Sequence, residues 1–97
     1  MKLKLLDKSG STIGEIFVTA ENSAILGNFL PTPAFSIYES LFRNHEQAAN
    51  DQLFVEVDRL EEEISSLGFY VIDPCNGIKK RITDLQIMEA GISFRWA

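Results

Sequence analysis

Cysteine is almost missing from this chain: Cys75 stands alone among 97 residues, and His45 is the single histidine. One cysteine excludes an internal disulfide and fits a reducing compartment. One cysteine and one histidine are too few for a structural zinc site, which takes four such ligands. Basic residues are in the minority, with nine Lys and Arg against fourteen Asp and Glu, a net charge of −5 and a pI near 4.7. That balance argues against tracking a nucleic-acid backbone, which needs clustered cations. No apolar run approaches the roughly 20 residues of a membrane span. The stretch Met1–Asp7 lacks the apolar centre of a signal peptide, because Asp7 and Lys8 interrupt it. The motifs of phosphate loops and dinucleotide folds are missing, as is the alternating Asp loop that holds calcium. The expectation is a cytoplasmic protein with no cofactor, no metal, no nucleic-acid partner and no membrane association.

Glycine and proline are also absent from Ser36 through Leu67. This long uninterrupted stretch reads as helical. Ser36-Ile37-Tyr38-Glu39 has the form of a capping box, and Gly68 supplies the left-handed residue that ends a helix. A single helix of about 32 residues would be about 48 Å long, against a radius of gyration of about 13 Å for a domain of this size. A break is therefore expected at Asn50-Asp51, giving helices of about 36–49 and 51–67. Ile37, Tyr38, Leu41, Phe42, Ala48 and Ala49 share one face with His45. Leu53, Val57, Leu60, Ile64 and Leu67 repeat at helical spacing. Val55 falls on the outside.

The flanks read as strands. Residues 2–7 alternate, with Leu3 and Leu5 on one face, and pair as a hairpin with 12–19 across the turn Lys8–Ser11, with a bulge near Gly14. Residues 24–35 read as an extended crossing that ends at Pro31. After Gly68, Phe69–Ile72 is rich in β-formers. Asp73–Gly77 is a turn, 78–88 is extended, and Ile92, Phe94 and Trp96 alternate with Ser93 and Arg95. The pattern predicts one α+β domain over 1–97: an antiparallel sheet of about 4–6 strands, with helices from the middle of the chain packed on one face. Hydrophobic residues make up 45% of the chain, including seven Phe, enough for a core.

No constellation carries a specific chemistry. His45 and Glu46 are adjacent on a helix and so do not face each other, and His45 reads as a packing histidine. Cys75 reads as an incidental turn residue. Glu56, Asp58, Glu61, Glu62 and Glu63 form an acidic outer face relieved only by Arg59. Lys79-Lys80-Arg81 alternates across a strand and reads as protection of a sheet edge. The stretch Leu26–Pro31 holds apolar residues whose burial the pattern leaves open.

The expected function is a non-catalytic protein-interaction domain, with a composition like that of small inhibitor or immunity proteins that neutralise a basic protein. Glu56, Glu62 and Glu63, with Phe29 and Leu30, are its expected binding residues. One alternative is a self-associating homodimer that uses the stripe Ile92, Phe94 and Trp96 on a sheet edge. Another is a small enzyme or ligand-binding domain, with a pocket between helices and sheet to which Cys75 or His45 contributes.

Overall fold

Six antiparallel strands close on one another in the computed structural model, which describes residues 1–97. The strands are β1 (Lys2–Leu6), β2 (Thr12–Glu21), β3 (Ile25–Pro31), β4 (Tyr70–Ile72), β5 (Lys79–Met88) and β6 (Gly91–Trp96). Around the barrel the order is β1-β2-β3-β6-β5-β4. Between β3 and β4 the chain forms a short 3₁₀ helix, Pro33–Ile37, and then helices α1 (Glu39–Asn50) and α2 (Phe54–Ser66). The fold is α+β with helices packed on an antiparallel sheet, and the radius of gyration is 12.8 Å.

The alternation in β1 sets the register of its hairpin. Leu3 lies opposite Ile16 and Leu5 opposite Gly14, and both leucines point inward. The register then slips, because Leu6 pairs with Thr12 and Ile13 is left over. This is the bulge beside Gly14, and it puts Ile13 as well as Ile16 into the core. The free groups at the bulge are taken by the end of β3: the Thr32 amide donates to the Ile13 carbonyl and the Thr32 hydroxyl to that of Thr12. Gly27 on β3 permits the close approach of β2. A Cβ there would lie 2.5 Å from the Phe17 carbonyl oxygen.

β4 has three residues and pairs with β5 only over Lys79–Arg81. Beyond that point β5 runs on beside β6, and α1 and α2 pack against it. Phe42 of α1, Ile64 of α2 and Phe69 before β4 join the inward residues of the strands in one cluster. An aromatic chain links the layers: Phe29 to Phe35, Phe35 to Phe42, Phe42 to Phe69, and Phe69 to Tyr38, with ring centres 5.1–5.9 Å apart.

Three local expectations are corrected. Ser36 does not cap a helix. Pro33, with its fixed φ, opens the 3₁₀ helix earlier, Ser36 lies inside it, and α1 starts after Tyr38 with no side-chain cap. The helix break is present, but α2 begins only at Phe54. Gln52 is left-handed at φ 57, and Leu53, ahead of the helix and exposed, is not part of the inner stripe. β6 pairs with β3 on one side and β5 on the other, so it offers no sheet edge, and Ile92 and Phe94 are buried inside the barrel. At Lys79 and Lys80, β5 is paired with β4 alone, because pairing with β6 begins at Ile82, so these cations stand where the other side of the strand is open.

Candidate functional site

The buried polar residues are few, Asp7 and His45, and each is held by a partner from another part of the chain. Asp7 directly follows β1 and is buried. Its Oδ1 accepts from the Ser9 and Ser11 amides and the Ser9 hydroxyl at 2.6–3.0 Å, and its Oδ2 accepts from the Tyr38 hydroxyl at 2.8 Å. The Ser9 hydroxyl, against the opposing effect of burial and together with Tyr38 and the two amides, holds the Asp7 carboxyl below its usual 3.8. The same hydrogen bond to a carboxylate, with burial, raises Tyr38 above its usual 10.0. The network ties the first hairpin to the start of α1.

His45 is 2% exposed, between the helices. Its Nε2 lies 3.3 Å from a Glu61 carboxylate oxygen, and because a carboxylate only accepts, Nε2 carries the hydrogen. Nδ1 has no partner. Cys75 is exposed in the β4–β5 turn, where its amide donates to Asp73. No three His, Cys, Asp or Glu side chains converge on a point where a metal ion could sit. No helix is long and apolar enough to cross a membrane.

The surface is more distinctive than the interior. The segment from Glu39 to Ser66 holds eight carboxylates against Arg43 and Arg59, a net charge of −6. The rest of the chain has six carboxylates against seven cations, a net charge of +1. The whole negative excess of the protein is therefore carried by the helical layer. Arg59 pairs with Glu56 and more loosely, at 3.7 Å, with Glu63, while Glu62 is exposed without a cation. The Arg59 hydrogen bond lowers the Glu56 carboxyl below its usual 4.5.

At the tip of the α1–α2 hairpin stand three consecutive apolar residues. Leu53 is 53% exposed, Phe54 70% and Val55 87%. Asp51 and Glu56 flank them. Sequence periodicity placed Leu53 inside and did not single out Phe54. The available signal was the run itself: a helix buries one face, so three apolar residues in a row cannot all be covered.

The other two expected binding residues part company. Phe29 points inward and meets the Phe35 ring edge-on at 5.2 Å. Leu30 points outward and is 57% exposed. It shares the outer face of β3 with Leu26, and Phe17 lies between them across the strand pair, opposite Asn28. The structure therefore separates Leu30 from the carboxylates by element: Leu30 is on the barrel wall, while Glu56, Glu62 and Glu63 are on α2. No protein-family model matches the sequence, and neither a curated protein nor a solved structure matches it.

Proposed function

We propose that this chain is a non-catalytic binding domain that holds a basic protein partner against its acidic helical pair. Phe54, with Leu53 and Val55, is the apolar anchor, and Glu56, Glu62 and Glu63 form the charged rim. One observation carries this reading: three consecutive exposed apolar side chains, with Val55 the most exposed large apolar residue of the protein, stand at the tip of the layer that holds all of its excess negative charge. Interfaces are built in this way, with an aromatic or aliphatic anchor that excludes water and a polar rim around it. A single-signed rim acts mainly on the encounter rate. A small acidic domain of this kind suits a cytoplasmic inhibitor or immunity-like role, in which a basic protein is neutralised by occupying its surface.

The test places a photo-crosslinking amino acid at position 54 or, as a control, at position 28 in the native host, and identifies the adducts by mass spectrometry. The expected adduct is a basic protein, captured from position 54 alone. With that partner purified, Phe54→Ala should weaken binding by about 2 kcal/mol, mostly through faster dissociation. Reversing Glu56, Glu62 and Glu63 to Lys should slow association at low salt, with the circular-dichroism spectrum unchanged. Adducts to a second copy of the chain would replace this reading with self-association. An association rate untouched by the triple reversal would reduce the acidic face to solvated surface.

A further inference from the structure

Nine cations are present, and four of them, Lys2, Arg43, Arg59 and Arg95, are paired with carboxylates within the chain. The remaining five are Lys4, Lys8, Lys79, Lys80 and Arg81. All five lie on β1, on the turn that follows it, or at the start of β5. This clustering is set by the barrel, because β4 brings β1 and the start of β5 to its two sides. Lys4 pairs with Ile72 and Ile72 with Lys79, so one row across three strands reads Lys–Ile–Lys. The next row on the same face reads Leu6, Tyr70, Arg81. Residues directly opposite share a face of the sheet. Val71, between Tyr70 and Ile72, is fully buried inside, so Lys4, Lys79 and Arg81 stand on the outer wall.

This wall has a concavity of about 480 Å³ lined by Lys8, Gly68, Phe69, Tyr70, Lys79, Lys80 and Arg81, with no carboxylate among the lining residues. Gly68 is the floor beside Lys8, whose side-chain carbons lie 3.6–3.7 Å from where a Cβ would be. The Lys79 ammonium stands 5.6 Å from the centre of the Tyr70 ring. Lys80 turns the other way, over Trp96 at 4.8 Å. Three cations from two separate parts of the chain thus frame one groove around an aromatic ring, with Lys4 one row away.

We propose that this groove is a binding site for a compact phosphate-type oxyanion carrying two or more charges, of the diphosphate class. An acidic protein has ample carboxylate to neutralise its cations, yet this chain keeps eight of its fourteen carboxylates on the helical layer and leaves these cations without partners. Their mutual repulsion is offset when an anion sits among them. The chemistry suits phosphoryl oxygens, since Arg81 offers a planar fork and Lys8 and Lys79 offer compact point charges. The size suits one or two phosphoryl groups, because strands lie about 4.8 Å apart and the wall is three strands wide. A long polyanion running past the groove would meet the helical layer, whose net charge is −6, and a nucleic-acid strand is therefore disfavoured. This site is independent of the protein-binding face on α2.

The experiment is a titration of the ¹⁵N-labelled chain with inorganic diphosphate at constant ionic strength. Sodium chloride and a penta-glutamate peptide serve as parallel arms. The expected result is saturable amide shifts at Gly68, Tyr70, Lys79 and Arg81, with none at Phe54. Lys79→Ala and Arg81→Ala should each weaken binding at least fivefold, and together by more than tenfold. Arg81→Lys should retain part of the affinity. All of these residues are solvent-facing, and unchanged spectra elsewhere would verify the fold of the variants. Shifts that chloride reproduces would overturn the proposal as simple screening. Saturation by the peptide and not by diphosphate would overturn it in favour of a carboxylate-bearing partner. Full affinity in the double variant would place any bound anion elsewhere.

Discussion

Asp7 and Tyr38 hold together parts of the chain 31 residues apart through one hydrogen bond of 2.8 Å. The bond is strongest with an ionised acceptor and a protonated donor; it is the main cause of the rise at Tyr38, and at Asp7 it adds to the larger effect of the Ser9 hydroxyl. Asp7 is lowered from 3.8 in the fold, so its contribution to stability is complete above that value and is lost as pH falls through the lower folded one. Tyr38 is raised from 10.0, so its contribution is present below that value and is lost as pH climbs through the higher one. Tyr38→Phe keeps the ring against Phe69 and removes only the donor. At neutral pH it should cost about 1.5–3 kcal/mol, the usual range for a hydrogen bond to a charged group. The difference from the unmodified chain should shrink as Asp7 takes up its proton. Urea unfolding of both proteins from about pH 7 down to about pH 2.5 measures this, and a gap that stays constant through the acid limb would refute it. Nothing in the local sequence marked Asp7 for this role. It stands at the end of an alternating strand, and its partner comes from the far side of β2 and β3.

Two glycines separate what a strand needs from what a helix end needs. At Gly27 the backbone conformation is ordinary and the constraint is space, since a Cβ would press against the Phe17 carbonyl at 2.5 Å. At Gly68 the space is open, with the nearest atom 3.6 Å away, and the constraint is φ +68. Gly27→Ala must part β2 from β3 and should cost about 2–4 kcal/mol, the range of overpacked, closely fitted sites. Gly68→Ala should cost only about 1 kcal/mol, the penalty of a left-handed residue with a Cβ. Thermal and urea unfolding of the two variants would check the order, and a larger loss at Gly68 would contradict it. The role of Gly68 was legible because helix ends have a local chemical signature, and so was the break after Asn50, which a length argument demands. Ser36 misled because the capping pattern is equally local while Pro33, three residues earlier, had already fixed the backbone. Gln52 gave no signal, since glutamine is a poor choice for a left-handed residue and only the tight return of α2 against α1 holds it there.

At the scale of the molecule, the alternation of Ile92, Phe94 and Trp96 revealed which face of β6 is apolar but not which strands flank it. Closure of the barrel depends on β1 meeting β4 across more than sixty intervening residues, and no local pattern encodes that pairing. The candidate surfaces were legible in part for the same reason. The outer carboxylates of α2 follow from helical period alone. The apolar tip needed the true start of α2, and the basic wall needed the register of three strands. The closed barrel and the attached helices also differ in support. Strand amides of β1 and β2 bond within the barrel over buried Leu3, Leu5 and Ile16. The helices rest on one face through Phe42, His45, Ala48, Leu60 and Ile64, and α2 begins without a side-chain cap. Its first-turn amides, at Phe54 to Glu56, therefore depend on water. Hydrogen exchange should follow this division: amides of Leu3, Leu5 and Ile16 open only with global unfolding, while those of Phe54 and Val55 exchange orders of magnitude faster. Binding of a partner at the tip should slow the second set and leave the first unchanged. If Phe54 and Val55 in the free chain were as protected as Leu5, the tip would already be covered, and its role as an open anchor would have to be given up.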